Sequence, residues 1–387
     1  MKNCRSCGSD SLEMLLDLGN QPWCNDFLTK DRIGKEKKYP LRLCYCKDCE
    51  LLQLDHTVPK ETMFADHQYL SGMTKTLVLS DDLVVDIGGN DGSQLLQYKK
   101  AGINNVLNIE SAKRVSQISK DAGVRTVNKF FNEECVKEHI GEKTVKLYNA
   151  SGVFFHLEEL HSVIKGIKYS LRDDGVLIVQ FMYAGAMIEN ENFDTIYHEH
   201  LCYYTIRSLN KLLKPYGMEI FDAYDSDIHS GSIIAKICHT DSKLNVKTNR
   251  FLSLLEKDNQ YTIERTIEFA KNVEKSRHVL RELLLDIKNK KESVYVYGAP
   301  AKGNTLLNYF KIDNTLVDKA VEINPMKIGH YLPQSHIPIC EESKDDLPDY
   351  YLLLSHNFAK EIIEKNQDII DKGVKFIIPF PKLEVIS

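Results

Sequence analysis

The amino-acid sequence predicts an α/β protein: a small metal-binding lobe followed by two doubly wound units. Three observations predict this. Four of the ten cysteines form two C-x-x-C knuckles within the first fifty residues. Residues 83 to 182 alternate short apolar runs with helical patterns, the rhythm of a doubly wound sheet. Residues 290 to 380 return to the same rhythm without repeating the sequence.

The knuckles are Cys4-Arg5-Ser6-Cys7 and Cys46-Lys47-Asp48-Cys49. Each lets two thiolates from one tight turn reach the same ion, and together they make a closed tetrahedral site suited to structural zinc. Cys44 competes with Cys46 as a ligand. In the first α/β stretch, Leu83-Val84-Val85 runs into a glycine-rich turn, and Val106 to Ile109 ends at Glu110. Val145 to Tyr148 precedes Asn149 and Ala150, a helical pattern spans Val163 to Leu171, and Val176 to Val179 forms a further strand. Residues 250 to 290 read as one long charged helix, with Val273, Leu280, Leu284 and Ile287 on a single apolar stripe. The second stretch opens with Val294 to Tyr297 and the turn Gly298 to Asn304. It continues through Leu316 to Val321, Tyr350 to Leu354 and Phe376 to Ile378.

The chain has 387 residues and a formal net charge of −5. That length allows two or three domains with ordinary cores. No basic patch suggests a nucleic-acid partner. The N-terminus lacks the apolar core of a secretory signal, and the longest apolar run, Gly175 to Ile188, is too short to span a bilayer. A cytoplasmic protein is therefore expected. The sequence does not fix an oligomeric state and is compatible with a monomer.

Two motifs carry chemistry. The first is Asp86-Ile87-Gly88-Gly89-Asn90-Asp91-Gly92, directly after a strand and before the helix begun by Ser93. Glycines allow positive φ and close approach of backbone to a ligand. Two acids in the turn suit the ammonium and sulfonium of S-adenosylmethionine better than a pyrophosphate. Glu110 stands about twenty residues on, where an acid grips ribose hydroxyls. The second motif is Tyr197-His198-Glu199-His200, with two imidazoles, a carboxylate and a phenol in four consecutive residues. Histidine is the natural base near neutral pH. A methyl acceptor that is a carbon beside a ketone must lose a proton first, which demands such a base and donors for the enolate oxygen. On an ideal strand the two histidines would share one face and Glu199 would point away. A bent segment that lets Glu199 serve His200 is expected instead. His156 follows the strand ending near Asn149, at the end of the sheet where ligands bind. Tyr69 falls where the lobe meets the cofactor unit.

Nearly end to end, the chain resembles the S-adenosylmethionine-dependent sugar C-methyltransferases that act on nucleotide-linked keto-deoxysugars. The resemblance rests on the two knuckles, on Gln21-Pro22 with Asn25-Asp26-Phe27, and on the Asp86 to Gly92 turn. It extends through Ile109-Glu110, Phe154-Phe155-His156 and Phe193 to His200, then Tyr297 to Asn308 and Asn324-Pro325. It departs from the family pattern at Ser151-Gly152, at Gln180 and over 229–234. The resemblance implies a zinc-binding lobe (1–70), a Rossmann-like class I methyltransferase domain (71–240) and a second Rossmann-like domain (241–387) that helps bind the nucleotide sugar. It implies zinc on Cys4, Cys7, Cys46 and Cys49, and the methyl donor on Asp86, Gly88, Asn90, Asp91, Gly92, Glu110 and Ala150. His200 becomes the base that takes the C3 proton of a nucleotide-diphospho-4-keto-6-deoxysugar, with Tyr69, His156, Tyr197 and Glu199 around the sugar. Lys302, Asn304, Glu322 and Asn324 are expected on the nucleotide sugar. Methylation of a sugar oxygen or nitrogen is the alternative, and a zinc-ribbon module with an inactive catalytic unit is the reading from another class.

Overall fold

The computed structural model describes residues 2–64, 80–226, 228 and 231–387. The N-terminal lobe is built on β1 (Leu12–Pro22), β2 (Lys38–Cys46) and β3 (Leu52–Leu54), which pair antiparallel. The first knuckle precedes β1 and the second closes β2. Leu16, Leu18, Leu41, Leu43 and Leu52 alternate onto one buried face, the period-two pattern of a half-covered sheet.

The middle unit is a sheet of β4 (Leu83–Ile87), β5 (Val106–Ile109), β6 (Thr126–Val127), β7 (Val145–Ser151) and β8 (Leu171–Met182), all parallel. After β9 (Cys202–Tyr203), which pairs with β3 of the lobe, the chain adds β10 (Met218–Ser226) and β11 (Ser232–His239). The sheet order is β10-β11-β8-β7-β4-β5-β6, with β11 antiparallel to both neighbours. Its strand order reverses between β4 and β7, which opens a crevice at their carboxyl ends. The central strands are buried along most of their length, as in a sheet covered on both faces.

The C-terminal unit has the order β14-β13-β12-β15-β16-β17. Its strands are β12 (Val294–Tyr297), β13 (Lys319–Glu322), β14 (Ile339–Glu341), β15 (Tyr350–Leu353), β16 (Lys375–Ile378) and β17 (Glu384–Ile386), of which only β17 is antiparallel. Two expectations need correction. The segment 250–290 is two helices, Asn249–Asp258 and Ile263–Asn289, because Thr262 caps the second by accepting from the Arg265 N–H. Its stripe of Val273, Leu280, Leu284 and Ile287 is buried as expected. The strand expected from Leu316 begins only at Lys319. Asp313 accepts from the Thr315 N–H and its carbonyl takes the Leu316 and Val317 N–H groups, so those residues form a turn. Among the described residues no helix is long and apolar enough to cross a membrane.

Candidate active site

Cys4, Cys7, Cys46 and Cys49 bring their sulfurs within 4.8 Å of one another. The Cys4–Cys49 and Cys7–Cys46 separations are 3.5 and 3.6 Å. A tetrahedral zinc site with Zn–S bonds near 2.3 Å places its sulfurs about 3.8 Å apart, so the four thiols fit the ion. Cys44 does not join that cluster and stays a buried core residue. The first knuckle is pinned to β3 by the Arg5 N–H, which donates to Gln53 Oε1 at 2.9 Å, and by the Arg5 guanidinium on the Leu54 carbonyl.

The turn after β4 is shaped by backbone that only small residues tolerate. Gly88, Asn90 and Gly92 have φ of 64°, 53° and 79°. A Cβ on Gly89 would lie 2.6 Å from Asn108 Oδ1, and one on Gly88 would lie 2.9 Å from Val153. Glu110 accepts from the Asn90 N–H at 3.0 Å and from the Ala112 N–H at 2.7 Å, which fixes its carboxylate against the turn. Gly88, Asn90 and Glu110 line one cavity of about 660 Å³, a size ordinary for a cofactor with part of its substrate. Asp86, Asp91, Gly92 and Ala150 do not line it, and Ser151, Gly152 and Val153 form the neighbouring surface instead. Asp91 accepts from the Ser93 N–H at the helix start. Burial, and then the charge of Glu110, pushes the Asp86 carboxyl up to about 8. At neutral pH it therefore carries a proton rather than the negative charge that the sequence suggests.

Across the same cavity stand His156, Tyr197, Glu199 and His200. The segment is bent: Phe193–Thr195 form one turn of 3₁₀ helix, and the His200 N–H closes a turn onto the Tyr197 carbonyl at 2.9 Å. The bend separates the two histidines. His198 turns to the lobe, where Nε2 meets the Tyr39 carbonyl at 3.3 Å, and burial lowers its imidazole to about 4. His200 stays at the cavity with its ring 3.8 Å from that of Tyr197. Its Nδ1 lies 2.8 Å from the Thr195 carbonyl. A carbonyl only accepts, so Nδ1 carries the hydrogen and the neutral ring keeps its lone pair on Nε2. Thr195, not Glu199, holds the His200 ring, which corrects the expectation that Glu199 serves His200. The Glu199 carboxylate is held instead by lobe residues: Trp23 Nε1 donates to Oε1 at 2.5 Å and Asn25 Nδ2 at 2.7 Å. His156 donates from Nδ1 to the Glu199 carbonyl at 2.6 Å, and its ring lies 5.1 Å from that of His200. Tyr69 lies outside the described residues.

Of the four expected substrate residues, Lys302 reaches the cavity. Its Nζ donates to Asn357 Oδ1 at 2.7 Å and lies 3.6 Å from the Asp194 carboxylate. His356 holds the same Asp194 oxygen at 2.9 Å. Burial works against that charge, but Lys302 and His356 keep Asp194 below the usual carboxylate range. Asn304 is buried away from the cavity and donates to the Cys24 carbonyl at 2.7 Å. Glu322 accepts from the Ala299, Ile323 and Asn324 N–H groups. Asn324 is exposed and caps the Met326 N–H. Neither lines the cavity. The residues that sequence reasoning missed are Trp23, Asn25, Thr195, Asp194 and His356. Asn25, Asp194 and Thr195 stand inside stretches that carried the family resemblance, and Trp23 is the single tryptophan of the chain. His356 had no signal.

A zinc-fitted lobe, a glycine-lined nucleoside cradle and a cluster of proton-handling groups on one cavity define an S-adenosylmethionine-dependent methyltransferase. A family profile described as "C-methyltransferase C-terminal domain" matches residues 227–381, and one described as "Putative zinc binding domain" matches residues 4–64. The C-methyltransferase NovU of Streptomyces niveus is 31% identical over 99% of this chain and 96% of its own length. Among solved structures, 1,6-didemethyltoxoflavin-N1-methyltransferase of Burkholderia thailandensis is 18% identical, over 42% of this chain and 72% of that one, with a TM-score of 0.33. A geranyl diphosphate methyltransferase is 13% identical over the same shares, with a TM-score of 0.34. The chain belongs to the C-methyltransferase family.

Proposed function

We propose that the protein methylates C3 of a nucleotide-diphospho-4-keto-6-deoxysugar through an enolate. The observation that carries this reading is the Thr195 carbonyl on His200 Nδ1, which keeps the His200 lone pair on Nε2 in the cavity that also holds Glu110. His200 Nε2 takes the C3 proton, and the C3–H electron pair moves toward the C4 oxygen. Tyr197 stands beside His200 to donate to that oxygen as its charge grows, and His156, its Nδ1 hydrogen committed to the Glu199 carbonyl, lines the same wall. Bound S-adenosylmethionine would supply an electrophilic methyl group to the C3 carbanion, with the S–CH3 electron pair left on sulfur. Glu110 and the Gly88–Asn90 backbone hold the donor's nucleoside, and Lys302 meets the substrate's diphosphate.

Turnover in D2O tests the reading, with a panel of uridine, thymidine, cytidine and guanosine diphosphate 4-keto-6-deoxyhexoses. Unreacted substrate should take up deuterium at C3, and the product should carry its new methyl on that carbon. His200→Asn should lower turnover by a factor on the order of 10²–10⁴ while S-adenosylhomocysteine still binds. A methylated oxygen or nitrogen with untouched C3–H would replace this reading with the heteroatom alternative.

A further inference from the structure

Immediately after β1, the tripeptide Trp23-Cys24-Asn25 touches both other units of the molecule. Trp23 Nε1 and Asn25 Nδ2 donate to one oxygen of Glu199, at 2.5 and 2.7 Å. Between them the Cys24 carbonyl accepts from Asn304 Nδ2 at 2.7 Å. Glu199, Cys24 and Asn304 are all buried. A second stitch lies close by, where Leu28 and Tyr331 exchange both backbone hydrogen bonds at 2.9 and 2.8 Å. Two N–H donors on one carboxylate oxygen concentrate the remaining accepting capacity on the other, and they set the side chain at a single angle to the cavity.

We propose that this tripeptide is a positioning element for Glu199, clamped from behind by Asn304. Trp23 and Asn304 then act on the reaction through Glu199 without touching substrate. The zinc lobe belongs to the catalytic apparatus as well as to the fold, because β1 carries the tripeptide from the metal site to the carboxylate. Asn304, which the sequence suggests for substrate, works one hydrogen bond behind the active site. The inference rests on the proposed function, with Glu199 on the cavity wall beside His200.

Trp23 is the only tryptophan, so intrinsic fluorescence of the full-length holoprotein reports directly on its hydrogen bond to Glu199. Substitutions at two positions remove one donor each: Trp23→Phe, and either Asn304→Asp or Asn304→Leu. Each should lower kcat at least tenfold, leave S-adenosylhomocysteine affinity unchanged, and cost nothing further in a Glu199→Ala background. Glu199→Ala and Asn304→Asp should both shift the Trp23 emission maximum. Wild-type kcat in Trp23→Phe and both Asn304 variants would overturn the proposal. So would losses that add in full to that of Glu199→Ala, or emission indifferent to Glu199. If the wild type itself exchanges no C3–H, the enolate reading falls, while emission and coupling to Glu199 still decide the clamp.

Discussion

The turns after β4 and β12 are built to one plan and used differently. In the first, the Gly88 N–H donates to the Ile109 carbonyl at 2.8 Å, and Glu110, the next residue, accepts from the Asn90 N–H. In the second, the Gly298 N–H donates to the Val321 carbonyl at 2.9 Å, and Glu322 accepts from the Ala299 N–H. Both glycines have positive φ, and both turns feed a helix. Yet Glu110 faces a cavity, whereas Glu322 is capped by its own chain, with Lys327 at 3.6 Å from its carboxylate and donating to the Ala299 carbonyl at 2.8 Å. The second turn offers its helix start to the cavity, through Pro300, Ala301 and Lys302. A glycine turn with a distal acid thus makes a possible nucleoside cradle. Whether it becomes one depends on what the chain lays across it.

Parallel substitutions test the comparison most strongly. Glu110→Ala should lower S-adenosylhomocysteine affinity roughly 100-fold, since it removes charge-assisted hydrogen bonds worth about 1.5–3 kcal/mol each. Glu322→Ala should leave that affinity unchanged in the same calorimetric titration and cost only stability. Equal losses would make the two turns equivalent cofactor sites.

Lys302→Met should raise KM for the nucleotide sugar about tenfold with kcat nearly kept, the pattern of a lost charge contact felt equally in ground and transition states. Steady-state kinetics reads this, and a fall in kcat alone would move Lys302 from binding to chemistry.

The smallest effect is a pH dependence. Position 86 is a buried acid, whereas its counterpart in the second turn, Val296, is apolar. The folded Asp86 carboxyl is raised to about 8 by burial and then by Glu110. The folded state therefore binds that proton more tightly than the unfolded chain does. Its stabilisation is complete below about pH 4 and is lost as pH rises toward 8. Asp86→Asn should remove this slope, so that thermal melts show the variant overtaking the wild type by several degrees at pH 9. Parallel pH curves for the two proteins would assign Asp86 a different environment.

Much of this was legible along the chain because its signals are local. The knuckles, the Asp86–Gly92 turn and the strand rhythm each lie within a few residues, so spacing alone predicts a sulfur site, a cradle and a sheet. The bend at Tyr197–His200 was also legible, since a straight strand cannot place both Glu199 and His200 on one surface. What could not be read was the partner of each group. The Glu199 carboxylate is satisfied by residues about 175 positions away, and Lys302 is seated by Asp194 and Asn357. Such pairs leave no periodicity in sequence.

Residue chemistry at short range determined by itself that this chain holds a four-cysteine site, a nucleoside-type turn and a cluster of histidines with a carboxylate in an α/β frame. Tertiary structure alone decided which members of each motif face the cavity. It sends His198 to the lobe and keeps His200 at the site, buries Asp86 until it holds its proton, and closes the second turn with Lys327. The physical reason is that hydrogen bonding and desolvation depend on what lies within a few ångströms in space, and folding brings those neighbours from anywhere in the chain.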